Sequence, residues 1–356
     1  MGHYVRIARI CSEINSRRGI KCDVIAGGVP FEELPEWSKS DVFWLKNLNY
    51  WGDKVKDKYT EDADSLRNKF EIRRRQISKY LKNKRYDYLI TEYFPFSKFQ
   101  LKQEVEFLID IIKKSNPNCK VVSSVRDLVH SGALPYSKEI LKILNIHFDG
   151  ILVHSDPRVV SLEYSFPAIN NFKGKLIYTG FVTNTHLVRQ SKRKFDIVIS
   201  VGGGRDGFHL INFILEILEK NWKTYLNYNF SMFLGKFFPY EKIKLSKIRG
   251  LPNIKIGEFG KFYDSICNCS FLISQAGYNT FYEAASLGVP MLLFPRKRFE
   301  QLERAKLAEK FNFGKILKRA EDLENFIIDY NTLDGYFLDW NFEGAKNVVD
   351  YLMEGL

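Results

Sequence analysis

Short, nearly unbroken apolar runs recur along this chain, each followed by a turn and then by residues at helical spacing. The runs at 150–154, 271–274 and 291–294 are the plainest. Apolarity sustained over so few residues marks strands buried on both faces. Tyr4, Ile7, Ala8, Cys11 and Ile14 recur at helical spacing and Gly19 closes that helix. Strands are expected at 21–26, 86–91, 120–124 and 176–179, with helices at 99–114 and 136–145. Strand–helix repetition of this kind folds as a parallel sheet with helices on both faces.

A polar stretch at 184–194 carries no apolar periodicity and separates a second series of the same kind. Its strands are expected at 195–201, 230–234, 254–256, 271–274 and 291–294. Its helices are expected at 209–221, from Lys261, at 280–287 and at 300–311, with one more helix pair at the end. The 356 residues also exceed the ~250–300 that one hydrophobic core serves, so two doubly wound halves are the fold expectation.

Composition removes several classes. No apolar run approaches the ~18–20 residues of a membrane helix. Five scattered cysteines lack the spacing of a disulfide framework and favour a reducing, cytoplasmic setting. Cys267 and Cys269 lie too close together, and too far from other ligands, for a zinc site. The formal net charge of +12 points to an acidic partner: nucleotide phosphates, nucleic acid or an anionic membrane face. Nine basic residues from Arg67 to Arg85 surround an apolar stripe of Leu66, Phe70, Ile77 and Leu81. That pattern fits a solvated helix or one drawn to an anionic bilayer, and its lack of an aromatic ladder argues against single-stranded nucleic acid.

Two strand–turn–helix junctions can carry chemistry. Gly202, Gly203 and Gly204, with Arg205, Asp206 and Gly207, bring backbone N–H groups close to an anion at a helix start, although tight turns use glycine for steric reasons too. Ser274, Gln275, Ala276, Gly277, Tyr278, Asn279 and Thr280, with Glu283 one turn on, offer donors for a diphosphate and a carboxylate for ribose. Thr280-x-x-Glu283 also reads as a capping box. Arg296, Arg298 and Arg304 can neutralise a leaving diphosphate, and Glu300 and Gln301 suit sugar hydroxyls. In the first half Glu92, Arg126, Asp127 and His154 all end strands and so share one sheet edge, while Asp156 is expected to cap a helix opening at Pro157. Asp62-Ala63-Asp64 is read as helix-start charge rather than a metal motif, and no metal is expected.

The stretch Ser-Gln-Ala-Gly-Tyr-Asn-Thr from Ser274, with Glu283, Gly288-x-Pro290 and Glu300-Gln301-x-x-Arg304-Ala305, resembles the donor half of GT-B glycosyltransferases. The similarity is to the family 28 C-terminal type, which includes the bacterial enzyme adding N-acetylglucosamine to lipid-linked peptidoglycan precursor. Gly2-His3-x-x-Arg6, Glu92-x-Phe94-Pro95-Phe96, Val125-Arg126-Asp127, Val153 to Arg158, Tyr178-Thr179-Gly180 and Ser200 to Gly204 are similar to a related group of predicted glycosyltransferases. The resemblance implies an α/β GT-B fold, two Rossmann-like domains facing a cleft. Their bounds would be 1–183 and 195–335, with 336–356 as a helix returning to the first domain. It implies a nucleotide-sugar donor, a UDP-sugar by expectation, with Glu283 on the ribose. The turn from Ser274 to Gly277 and Thr280 would lie near the diphosphate, and Gln301 on the sugar. Transfer would be inverting and metal-independent. The acceptor-side motifs do not reveal the acceptor, for which a lipid-linked molecule or a glycan is the expectation, and the expected setting is the cytoplasm, with the inner membrane face as a peripheral site.

Two other functions fit the same residues: a nucleotide-sugar epimerase or hydrolase, and a non-catalytic nucleotide or nucleic-acid binder. His3 is the natural general base, followed by Glu92 or Asp127. In the resembling group a buried strand precedes the Gly2-His3 turn, so a native start about 10–20 residues upstream, enough for a strand and its turn, is expected.

Overall fold

The computed structural model describes residues 2–28, 41–48, 63–189, 196–243, 251, 253–330 and 336–355. The chain forms two units, His3–Val182 with Glu343–Leu356, and Thr183–Phe342.

The first unit runs α1 (Gly2–Ser16), β1 (Asp23–Ala26), β2 (Asp41–Trp44), α2 (Ala63–Leu81), β3 (Tyr88–Glu92), α3 (Lys102–Ser115), β4 (Lys120–Arg126), α4 (Ser137–His147), β5 (Gly150–His154), α5 (Leu162–Ser165) and β6 (Lys175–Tyr178). Strands β3, β4, β5 and β6 pair in that order, all parallel, while β1 and β2 form a separate parallel pair. Alternate residues point to opposite faces of a strand, and here both faces are apolar. Val121, Val125, Ile151 and Val153 pack with α3 and α4 residues such as Ile109, Ile140 and Leu144. Val122 and Leu152 pack with Ile10 and Ile14 of α1.

The basic helix α2 does not present all its cations to solvent. Arg73 is buried and makes two 2.6 Å bonds to Glu104 of α3, and its third nitrogen donates to the Lys46 carbonyl at 2.7 Å. Ile77 and Leu81 are buried beside it, so the apolar stripe does set which face is inward. Of the Asp62-Ala63-Asp64 segment, Asp62 lies outside the described residues.

The second unit runs β7 (Asp196–Ser200), α6 (Phe208–Lys220), β8 (Asn229–Phe233), β9 (Ile254–Ile256), α7 (Phe262–Asn268), β10 (Phe271–Ser274), α8 (Tyr278–Ser286), β11 (Met291–Leu293), α9 (Phe299–Lys310), β12 (Gly314–Ile316) and α10 (Ala320–Tyr330). Its parallel sheet has the order β12-β11-β10-β7-β8-β9. The order reverses direction between β7 and β10, which opens a crevice at their C-terminal ends. Ile197, Ile199, Phe230, Phe271 and Ile273 meet Leu210, Ile214 and Leu218 of α6 on one face.

Three expectations need correction here. Strands β2 and β12 are too short and too mixed in composition to stand out by periodicity. The second unit extends to Phe342 rather than 335, because Tyr336 donates to the Val289 carbonyl at 2.8 Å and Trp340 packs on Phe311 and Phe313. Residues 184–189 of the expected linker bond to the second unit: Arg189 donates to the Gly288 carbonyl and Asn184 N–H to Glu283. Residues 190–194 of the expected linker lie outside the described residues. The last helix, α11 (Gly344–Glu354), packs Val348, Val349 and Leu352 on the first unit's sheet beside α1.

Candidate active site

In the first unit the chemistry gathers on Glu92, the last residue of β3. His3 and Arg6 lie three residues apart on α1 and therefore on one face of it. His3 Nδ1 lies 2.6 Å from Glu92 Oε1, and Arg6 Nη2 pairs with the same oxygen. Ser124, the register partner of Glu92 on β4, donates its hydroxyl to Oε2 at 2.9 Å. Burial alone raises the pKa of Glu92, but the Arg6 charge and the His3 bond outweigh it and hold the carboxyl well below its usual range. For His3, burial lowers the pKa, the Glu92 bond opposes this, and the net direction is down from 6.5. The His3 side chain keeps 27 % exposure, so water screens part of that shift while the ring stays reachable.

The backbone turns sharply after Glu92. Tyr93 takes a left-handed φ of 62°, a conformation that costs an ordinary residue ~1–2 kcal/mol. The turn places the buried Tyr93 ring 5.7 Å from His3 and 4.9 Å below the Arg126 guanidinium. Its hydroxyl donates to the Leu128 carbonyl at 3.1 Å and accepts the His130 N–H at 3.3 Å. Sequence reasoning gave Tyr93 no role; a bulky residue directly after a strand-ending carboxylate was the available signal. Arg126, the last residue of β4, is thus held over the Tyr93 ring at the sheet edge.

Two other expectations change. Asp127 and His154 are both fully buried and do not lie open at the shared sheet edge. Asp156 caps no helix: its carboxylate accepts the Arg158 N–H at 3.0 Å and pairs with the Arg158 guanidinium at 2.7 Å. The segment turns rather than coils because Val159 and Val160 both donate to the Asp156 carbonyl.

In the second unit three turns meet at the C-terminal edge of neighbouring strands β7, β10 and β11. After β7, Gly202 and Gly204 have φ of 57° and 92°. A Cβ on Gly204 would sit 2.2 Å from the Leu234 carbonyl, whereas one on Gly202 would meet nothing within 4 Å. Gly204 therefore serves packing, and Gly202 and Gly203 leave accessible backbone. Asp206 ties the turns together: its carbonyl accepts Gln275 Nε2 at 3.2 Å and its carboxylate pairs with Arg298.

Helix α8 starts at Tyr278 with Gly277 as its N-cap and no capping side chain. The Thr280–Glu283 capping box is therefore not formed, since Thr280 already lies in the first turn. The left-handed residue of this turn is Ala276, at φ 56°, not Gly277. Buried Ser274 accepts the Ala276 N–H at 3.4 Å. The N–H groups of Asn279 and Thr280 open the helix and, with Gly277, offer a positive helix end. Glu283 is buried, and its two oxygens accept the Asn184 N–H at 3.1 and 3.3 Å.

Arg304 is not a surface cation. It is buried, donates to the Ala276 carbonyl at 3.0 Å and lies 5.6 Å from the Tyr278 ring centre, so it braces the turn rather than meeting a diphosphate. Gln301 accepts the backbone N–H of the half-buried Arg296 at 2.8 Å, which orients the Gln301 amide. Glu300 opens α9 in its first turn. Among the described residues no three His, Cys, Asp or Glu side chains gather as a metal site.

Two parallel-sheet α/β units, the second with a switch-point crevice, a glycine-rich turn and a bare helix start, have a Rossmann-like build. Residues 198–331 match the glycosyltransferase family 28 C-terminal domain. Medicago truncatula UGT71G1, solved with UDP-glucose, is similar at 14% identity and a TM-score of 0.60, covering 99% of this chain and 95% of that one. Os79 from O. sativa, solved with UDP, is similar at 10% identity and 0.59, covering 100% and 98%. The calicheamicin glycosyltransferase CalG4 is similar at 11% and 0.56, covering 99% and 90%. No curated protein matches the chain. The chain therefore has the GT-B fold of these glycosyltransferases, and the family 28 C-terminal match lies within its second unit.

Proposed function

We propose that the protein transfers a sugar, with inversion, from a nucleotide-sugar to an acceptor hydroxyl, without a metal ion and with His3 as general base. The observation that carries this reading is the 2.6 Å contact of His3 Nδ1 with the Glu92 carboxylate. It fixes the proton on Nδ1 and leaves the Nε2 lone pair to take the acceptor's proton. The acceptor oxygen then bonds to the anomeric carbon in one displacement as the nucleotide diphosphate leaves. The N–H groups at the start of α8, the turn at Gly202 and Gly203, and Arg296 stabilise the departing charge. A UDP-sugar is the proposed donor, since UDP or UDP-glucose is bound in two of the similar structures.

The test is a panel of nucleotide-sugars read by thermal shift, followed by turnover with a cell-lipid extract in EDTA. A donor at 100 times its Kd adds ~2.7 kcal/mol of stability. Silence across the panel sinks the reading. Turnover abolished by EDTA and restored by magnesium or manganese overturns its metal-independent part. Donor consumption that ignores the acceptor extract favours a hydrolase or epimerase, and steeply salt-dependent nucleic-acid binding favours a binding protein.

Glu283→Ala is expected to raise the donor Kd by ~10–100-fold, the worth of bonds to a charged acceptor. Titration calorimetry on the folded variant checks this; unchanged affinity would leave Glu283 as the anchor of Asn184 alone.

An anionic membrane surface is the proposed partner of α2 and the turn after it, where Arg67, Arg75, Lys79, Lys82 and Arg85 are exposed. No helix among the described residues is long and apolar enough to cross a membrane. Co-sedimentation is expected with anionic vesicles, weakening as salt shortens the ~10 Å screening length at 0.1 M. Equal binding to neutral vesicles, or none, leaves α2 an ordinary surface helix.

A further inference from the structure

We propose that Thr179, His154 and Ser124 form a one-directional hydrogen-bond relay that holds Glu92, and through it His3, in a single proton arrangement, with His154 as a positioning residue. The proposal deepens the reading of His3 as the base and rests on it.

The relay crosses neighbouring strands. Ser124 lies on β4, His154 ends β5, and Thr179 follows β6. All three are buried. Ser124 Oγ lies 2.9 Å from Glu92 Oε2 and 2.8 Å from His154 Nε2, and His154 Nδ1 lies 2.9 Å from Thr179 Oγ1.

The carboxylate sets the direction. Ionised Glu92 can only accept, so the single Ser124 proton must point to Oε2. Ser124 then has only lone pairs for His154, and Nε2 must carry a hydrogen. Burial pushes His154 down to about 3 and keeps its ring neutral, with Arg6 reinforcing and Glu92 opposing. Nδ1 of a neutral ring holding its hydrogen on Nε2 is an acceptor, so Thr179 donates to it. The Thr179 hydroxyl also lies 3.3 Å from the Val153 carbonyl and 3.0 Å from the Gly180 carbonyl; Nδ1 at 2.9 Å is the nearest of the three, and the Val153 carbonyl already accepts the Thr179 N–H at 2.9 Å. On the other side of Glu92, His3 donates from Nδ1. Every proton therefore points toward one carboxylate, which has no freedom to turn and release His3.

The test uses full-length protein labelled with ¹⁵N-histidine. Long-range nitrogen–proton spectra are expected to show His154 protonated on Nε2 and His3 on Nδ1. Thr179→Val removes the donor to His154 and Ser124→Ala the link to Glu92. Each is expected to mix the His3 tautomers and to lower kcat ~10-fold, about one hydrogen bond's worth, with KM within ~2-fold. Thr179→Ser is expected to restore both. If one variant fails to fold, the other still decides. His154 protonated on Nδ1, or His3 signals unchanged in the folded variants, overturns the relay. Because the spectra need no substrate, a His3→Ala enzyme with full kcat overturns the base assignment while leaving the relay standing.

Discussion

Glu92→Ala is expected to cost ~3–5 kcal/mol of stability, the loss typical of breaking a buried ion pair from one side. The Arg6 side chain is only 1 % exposed, so the variant strands its charge away from water. Ser124 and His3 lose their acceptor in the same step. Glu92→Gln keeps the shape and one acceptor oxygen and should cost less. Urea unfolding with an unchanged m-value measures both; a loss below ~1 kcal/mol for the alanine variant would show that the pair does not hold α1 to the sheet. The same cluster sets the acid limit. His154 has a folded value of about 3 against 6.5 in the unfolded chain. Below pH 6.5 the unfolded chain therefore binds a proton that the fold refuses, and stability drops as pH falls toward 3. At pH 5 the loss from His154 alone is ~2 kcal/mol. Glu92, depressed in the fold, adds a further loss as pH falls below its unfolded value of 4.5. Melting curves from pH 7 to 4 follow both.

Much of this fold was legible because its strands are short, apolar and separated by strong turn residues. The strands Gly150–His154, Ile254–Ile256 and Phe271–Ser274 match the expected ends to the residue, since polar or turn-forming neighbours bracket each one. What could not be read was which polar side chains turn inward. Arg6, Arg73, Arg304 and His154 are all buried, yet in the sequence they look like any surface cation or strand-end histidine. Their burial depends on partners far along the chain: Arg73 on Glu104, Arg304 on the Ala276 carbonyl, His154 on Ser124 and Thr179. Spacing predicts a helix face, but not which carboxylate or carbonyl the tertiary fold brings to it. The same limit explains the donor turn. Nothing in its sequence marks Ala276 as the left-handed residue, a place the fold gives it with Arg304 on its carbonyl.

His3→Ala is expected to lower kcat by ~10²–10⁴-fold, the range for removing a general base, while donor affinity stays unchanged. The pH profile gives a sharper check. The base works only when neutral, and burial carries His3 below 6.5, so the acid limb of kcat/KM should fall below pH 6.5. Removing the Glu92 charge sharpens the sign further. Glu92 raises the His3 pKa through its bond and its charge, so Glu92→Gln should move the acid limb to still lower pH. The same variant should lower kcat, because the imidazolium formed in the transition state loses its counter-charge. A base acting without that carboxylate would show neither change. A limb that stays near 6.5 in both proteins would mean that His3 is not the titrating group. Asp127, fully buried, gives no route to the acceptor's proton, so that result would move the search to Glu92 itself, whose depressed pKa makes it a weak base and predicts slow transfer.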